Sequence, residues 1–210
     1  MTTANEALNR LKAGNDRFVA DVRDVSALTS KSRLAEILEA QQPFAIILGC
    51  SDSRVPAEIV FDQGLGDLFV IRVAGNIVTP SQLGSVEFSA LQHGARLVVV
   101  MGHTNCGAIQ ATVEELKHPS SAISPNLQSI VDCIQPSVEK LVEEEADESR
   151  LISLATRANV RASVSKLKNS SEVLNDLISN DGMQIVGAEY SLETGKVQFF
   201  KEGDGDSQHD

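Results

Sequence analysis

Apolar residues recur with two periods along the chain. One is helical. Between about Asn5 and Asp21, Leu8, Leu11, Phe18 and Val19 fall near one face, with Asn9, Arg10, Lys12 and Asp16 elsewhere, which predicts an amphipathic helix. A second short helix is expected from Ser30 to Glu39, with Leu34, Ile37 and Leu38 turned inward and Pro43 ending it. Further helices are expected over Pro56–Phe61, from Pro80 through Gln92 to a stop near Gly94, from Asn105-Cys106 through Leu116, and over Ser171–Ser179. From Asn126 to Asn169 the helical pattern persists, with breaks expected at Pro136 and near Glu143-Glu144-Glu145. The other period is that of strands. Phe44-Ala45-Ile46-Ile47-Leu48, Leu68–Val73, Leu97–Met101 and Met183–Tyr190 are short, β-branched and bounded by turn residues, as buried strands are. Glu193-Thr194-Gly195 turns the chain into Lys196–Phe200, which reads as an antiparallel hairpin partner.

Strand and helix alternate, so the fold class is α/β: a mainly parallel central sheet, about four parallel strands plus an antiparallel edge strand, flanked by helices. No internal repeat or composition shift divides the chain, and residues 1–210 read as a single domain. The segment 1–40 reads as a helical arm that packs on its own core or reaches a partner subunit. The last residues, 202–210, are acidic and Gly-bearing and are expected to be a disordered tail.

Net charge is −11, which counts against nucleic-acid or anionic-membrane surfaces as partners. No apolar run is long enough to span a bilayer, and Met1–Arg10 lacks a secretory h-region. Three Cys, an odd number at scattered spacing, do not form a disulfide framework and suit a reducing, cytoplasmic compartment.

The chemistry concentrates in two runs that follow predicted strands. Leu48-Gly49-Cys50-Ser51-Asp52-Ser53-Arg54 ends the first, and Gly102-His103-Thr104-Asn105-Cys106-Gly107 ends the third. Ligands of open α/β sheets gather beyond the carboxyl ends of the strands, so Cys50, His103 and Cys106 should converge there. Two sulfurs and an imidazole make a zinc set, and three protein ligands leave the fourth position open, as in catalytic zinc sites. Two thiolates cancel the ion's charge, so activating water needs help from Asp52 and Arg54. Arg54 can hold Asp52 through a bidentate pair. Released, Asp52 could swing onto the metal and close the site. The bland alternatives are a core His beside buried thiols for the trio and a surface ion pair for Asp52-Arg54. Cys133 reads as a core or half-buried thiol, and His93, His118 and His209 as surface or tail residues. Gly64-Leu65-Gly66 is too short a signal for a phosphate loop.

The Cys-Ser-Asp-Ser-Arg and His-Thr-Asn-Cys-Gly runs resemble those of the β-class carbonic anhydrases. The resemblance extends to Leu8–Phe18, to Asp67–Asn76 and to Val186–Tyr190. It implies reversible hydration of CO2 to bicarbonate and a proton, one Zn2+ per subunit, and a homo-oligomer, a dimer or dimer of dimers, with the site at the subunit interface. It implies Cys50, His103 and Cys106 as zinc ligands, and Asp52 and Arg54 as the catalytic pair, with Asp52 a fourth ligand in a closed form. It further implies Gln41 as a substrate-binding residue reaching over from the neighbouring subunit, and Phe69, Ala74 and Phe88 as the lining of an apolar CO2 pocket. Many relatives carry a larger aliphatic residue at Ala74 and a tyrosine at Phe88. Some bacterial members bind bicarbonate through a Trp-Arg-Tyr trio. Arg72 and Tyr190 match two of these, but Ile47 stands at the Trp position.

The expected mechanism is attack of zinc-bound hydroxide on CO2, as carbonic anhydrases of this kind carry it out. No proton shuttle stands out; His93 and His118 qualify by type alone. Two other readings share the metal set: hydrolysis of a linear CO2 analogue such as carbonyl sulfide or carbon disulfide, and a non-catalytic scaffold stabilised by zinc.

Overall fold

The computed structural model describes residues 2–23, 30–119 and 123–201. Its centre is a sheet of five strands: β1 (Ala45–Gly49), β2 (Leu68–Arg72), β3 (Leu97–His103), β4 (Gln184–Tyr190) and β5 (Val197–Phe199), in the order β2-β1-β3-β4-β5. The first four are mutually parallel and β5 is antiparallel, as the apolar pattern predicts. β1 and β3 are buried along their whole lengths. Their side chains alternate between two cores. Ala45, Ile47, Val99 and Met101 face one, with Leu11 and Phe61. Ile46, Leu48, Val98 and Val100 face the other, with Val86, Val160 and Leu174. From β1 the chain moves outward to β2 and then returns to the other side of β1 as β3. The topological switch therefore lies between β1 and β3, where a crevice opens at their carboxyl ends.

Helices cover both faces: α1 (Ala4–Val19), α2 (Lys31–Glu36), α3 (Ala57–Val60), α4 (Pro80–Gln92), α5 (Gly107–Lys117), α6 (Pro125–Glu144), α7 (Glu148–Asn169) and α8 (Glu172–Asn180). α1 starts at Thr3 in a capping box with Glu6. It meets α3 so closely at Gly14 that a Cβ there would lie within bonding range of the Phe61 carbonyl oxygen. One residue on, Asn15 ties three elements together. Its Nδ2 donates to the carbonyls of Val60 and Gly195, and its Oδ1 accepts the Val197 N–H at 2.8 Å.

Three expectations need correction. α2 is shorter than the pattern suggests, and Leu34 and Leu38 are 50% and 84% exposed instead of inward. No residue of α2 is buried among the described residues, and Ile37, which follows it, rests against Gly66. Pro136 does not break its helix, since α6 runs through it. The fully buried Ile134 and Val138 pin the chain on either side, and this packing outweighs one lost backbone hydrogen bond. The break expected near the acidic run does occur, between α6 and α7, where Asp147 caps α7. Residues 202–210, where a disordered tail is expected, and residues 24–29 of the arm lie outside the described residues. No helix among the described residues is long and apolar enough to cross a membrane.

Candidate metal centre

Cys50 follows the last residue of β1, and His103 is the last residue of β3. The two strands are paired in register up to Gly49↔Met101, so both side chains emerge at one edge. Two residues after His103 the chain reverses at Asn105, whose φ of 57° is left-handed, a conformation Asn tolerates better than most residues. That turn brings Cys106 to the N-cap of α5. The three side chains are buried, and their ligand atoms all lie within 4.8 Å of one another.

The donor set fits zinc. The Cys50 and Cys106 Sγ atoms are 3.9 Å apart. Two sulfurs each about 2.3 Å from a tetrahedral zinc stand roughly 3.8 Å apart. His103 is fully buried; its Nδ1 lies 2.9 Å from the Thr104 carbonyl oxygen, while its Nε2 is buried with no hydrogen-bond partner. A carbonyl can only accept, so the proton sits on Nδ1 and the Nε2 lone pair is left for a metal.

Asp52 stands beside the trio. Its Oδ1 accepts hydrogen bonds from the Arg54 backbone N–H and Nε, both at 2.9 Å, and its Oδ2 accepts from an Arg54 terminal nitrogen at 2.7 Å. Oδ2 is also 3.9 Å from His103 Nε2. Asp52 is thus clamped by Arg54, beside the Cys50-His103-Cys106 trio but outside it. The loop is held from beneath by Arg72. Its Nε donates to the Cys50 carbonyl at 3.0 Å and a terminal nitrogen to the Asp52 carbonyl at 2.5 Å. The Gly75 amide faces the Cys50 sulfur. Gly75 (φ 69°) is held in turn by α7, where Asn159 Nδ2 donates to its carbonyl at 2.7 Å and Ser163 Oγ donates to that of Asn76 at 3.1 Å.

The electrostatics follow from these contacts. The Arg54 guanidinium holds the Asp52 carboxyl well below the usual carboxylate range, against the opposing effect of burial. Without a metal the two sulfurs share one proton. The hydrogen bond from Cys106, aided by His103 and nearby backbone amides, pulls Cys50 down to about 4 despite burial. Cys106, facing that thiolate from a buried position, is pushed up. Burial disfavours protonation of His103, but the Cys50 sulfur outweighs it and raises the pKa. An anionic sulfur pair facing a buried imidazole is an arrangement that a divalent cation relieves.

The other residues singled out from sequence are spread more widely. Phe69 and Phe88 pack together, with ring centroids 6.2 Å apart, and Phe88 is 51% exposed. Ala74 begins the 3-10 turn after β2, the turn that contains Gly75. Gln41 is exposed and lines a cavity of about 760 Å3 with Phe44 and His93, and none of the trio lines that cavity. His93 is half-buried, not a surface residue, because its ring sits edge-on to Phe88 at 5.6 Å and 6.0 Å from Phe69. His118 is exposed and Cys133 half-buried, as expected, and His209 lies outside the described residues. Ile47 is fully buried in mid-strand. Thr104, Asn159 and Ser163 support the site but escape sequence reasoning. Thr104 shows only as the neighbour of a ligand, and the other two lie 84 and 87 residues from the carbonyls they hold.

A family model described as carbonic anhydrase matches residues 45–197. The chain is 37% identical over 192 residues to a carbonic anhydrase of Mycolicibacterium smegmatis, covering 91% of each. It is 36% identical over 191 residues to carbonic anhydrase 2 of Mycobacterium tuberculosis, covering 91% of this chain and 90% of that one. Among solved structures, a β-carbonic anhydrase of Aspergillus fumigatus superposes with a TM-score of 0.75 at 21% identity, covering 92% and 90% of the two chains. One of two tetrameric β-carbonic anhydrases of Sordaria macrospora gives 0.72 at 23% identity, covering 79% and 84%.

Proposed function

Because this chain belongs to the β-class carbonic anhydrases, we propose that it hydrates CO2 reversibly to bicarbonate and a proton at a zinc ion held by Cys50, His103 and Cys106. The observation that carries the site is the buried, unpartnered His103 Nε2 facing two sulfurs 3.9 Å apart. A bound zinc supplies a Lewis acid and a nucleophile made from water. The chain's own residues do the rest. Asp52, kept ionised by Arg54, accepts a hydrogen bond from the attacking oxygen and turns a lone pair of that oxygen toward the carbon. Arg72 fixes the Cys50 and Asp52 backbone, so ligand and acceptor stay in one geometry.

Phe69, Ala74 and Phe88 supply apolar surface for a substrate that has no charge to bind, and Gln41 reaches the substrate of a neighbouring subunit. The exposed Leu34, Leu38, Phe88 and Leu91 are apolar surface that a homo-oligomer would cover, with residues 1–40 as an arm on the partner. The reduced thiols of the site suit the cytoplasm.

Stopped-flow CO2 hydration on zinc-loaded protein tests the reading. Turnover that is lost in Asp52→Asn and in Cys106→Ser supports it. Full zinc occupancy without turnover at any pH from about 6.5 to 9 would leave a zinc-stabilised scaffold instead. The Asp52-Arg54 clamp favours the enzyme, since a scaffold needs Asp52 on the metal.

A further inference from the structure

His103 takes its orientation from a residue that is itself held from outside the metal loop. The Thr104 carbonyl accepts the His103 Nδ1–H at 2.9 Å. Just beyond it the chain turns at Asn105, which is exposed and has a left-handed φ, so this peptide plane depends on the contacts of Thr104 itself. Thr104 is tied twice. Its N–H donates to the Tyr190 carbonyl and its Oγ1 accepts the Leu192 N–H, each at 3.0 Å. Both partners lie where β4 ends and the chain turns toward β5.

That hairpin is braced by its own bonds and by α1. The Ser191 N–H donates to the Lys196 carbonyl and the Gly195 N–H to the Ser191 carbonyl, both at 2.9 Å. The Asn15 side chain then reaches across from α1. Its Nδ2 donates to the Gly195 carbonyl at 2.9 Å and its Oδ1 accepts the Val197 N–H at 2.8 Å, so it pairs with the hairpin on both sides of Lys196 as a neighbouring strand would. The same Nδ2 donates to the Val60 carbonyl at the end of α3, at 3.1 Å. Two carbonyls and one amide N–H around the group leave it a single orientation, and Asn15 is only 5% exposed. Phe18, on the same helix, closes on the same hairpin. Its ring centroid is 6.4 Å from that of Tyr190, and its edge is 3.0 Å from where a Gly195 Cβ would lie. Leu192 packs against this core from the hairpin side.

We propose that Asn15 is a positioning residue for the metal centre, acting through the β4–β5 hairpin and Thr104 on the ring of His103. The proposal rests on the reading of His103 as a zinc ligand. The route is continuous: Asn15 fixes Gly195 and Val197, the hairpin fixes Leu192, the Leu192 N–H fixes Thr104, and the Thr104 carbonyl fixes Nδ1–H. Its effect falls on Nε2. A ring whose Nδ1–H is firmly accepted presents its other nitrogen in one direction and as a more basic ligand. Release of the hairpin frees the Thr104 peptide plane to turn, and that preorganisation is lost. A buried amide with three hydrogen bonds also stabilises the fold, so a loss of stability alone does not identify the role. A positioning role shows instead in the ring itself and in the affinity of the metal.

Two measurements on the zinc-loaded full chain test this: zinc affinity by competition with a chromophoric chelator, and water exchange of the His103 Nδ1 proton by NMR. Thr104→Val keeps the carbonyl and the shape of the side chain but removes the acceptor of the Leu192 N–H. Zinc affinity should fall about tenfold, and the Nδ1 proton should exchange about tenfold faster. Thr104→Ser, which keeps the hydroxyl, should bring both back to within about twofold of wild type. Asn15→Ala should shift both in the same direction by about threefold or more, and adding it to Thr104→Val should weaken binding no further, since the two act along one route. If Asn15→Ala does not fold, Asn15→Asp takes its place, keeping the acceptor for Val197 and losing the donor to Gly195. Asn15 variants that lower Tm while zinc affinity and the Nδ1 proton stay unchanged overturn the proposal and leave Asn15 a joint of the fold. Losses that add in the double variant also overturn it, as does zinc affinity that ignores Thr104→Val. A wild-type chain that takes up no zinc at the trio overturns the zinc reading itself, and this proposal with it.

Discussion

His103 is prepared for a metal by its neighbour as much as by its burial. The Thr104 carbonyl accepts the hydrogen bond from Nδ1–H, and Nε2 is left facing the two sulfurs. Asp52 is fixed by a similar arrangement, since Arg54 donates to both of its oxygens and keeps it ionised. A carboxyl whose folded pKa is depressed contributes stability above its unfolded pKa and loses it as pH falls through the folded value. That window lies below about pH 4, so the Asp52 charge persists across the working range and its protonation does not shape activity near neutrality. Asp52→Asn should therefore lower kcat/KM by about 10²–10⁴-fold at pH 8 while zinc content stays at one per chain. Stopped-flow rates and metal analysis on the same sample check both halves. Arg54→Met would free the carboxylate to turn toward the Cys50-His103-Cys106 trio and compete as a ligand for a bound zinc. Its rate at pH 7 should fall about tenfold or more, and the loss of a bidentate charged pair sets that scale. An unchanged rate would show that Asp52 stays in place without its clamp.

At the scale of elements, the site depends on supports that lie far away in the chain. α7 holds the turn carrying Gly75 through Asn159, and Gly75 faces the Cys50 sulfur. Asn159→Leu removes a buried donor and leaves the Gly75 carbonyl unpaired, so zinc affinity should drop about tenfold in competition with a chromophoric chelator, with the far-UV circular dichroism retained. α1 depends on one missing side chain. Gly14→Ala forces a Cβ into the Phe61 carbonyl, and α1 must move off α3. A loss of about 2 kcal/mol or more is expected, a fall in Tm of roughly 4–8 °C by thermal unfolding. These dependencies mark what was legible in the sequence. The strands and the trio could be read because their signals are local: β-branched runs that end beside Cys50 and His103. The exposure of Leu34 and Leu38 could not, because an apolar period does not say whether the covering surface belongs to the same chain. Pro136 misled because its local cost is visible, while the burial of Ile134 and Val138 that outweighs it is not. Arg72 braces two carbonyls of the Cys50–Arg54 loop, a contact no residue pattern encodes.

At the scale of the whole molecule, the proposed substrate residues do not share one site within a single chain. Gln41 lines a cavity with His93 and Phe44, and none of Cys50, His103 and Cys106 borders it. If Gln41 serves the site of a partner, each active centre is built from two chains, and defects in two chains can complement. A chain with Asp52→Asn keeps a sound Gln41, and one with Gln41→Ala keeps a sound Asp52. Refolded together in equal amounts, random pairing makes half the dimers mixed. Each mixed dimer holds one doubly defective site and one intact site, so about a quarter of all sites should regain activity. Either variant refolded alone should stay near its own low rate. If Gln41 acts within its own chain, every site in the mixture keeps one defect and nothing is regained. The two outcomes differ because an isologous interface would send each Gln41 to the other subunit's site.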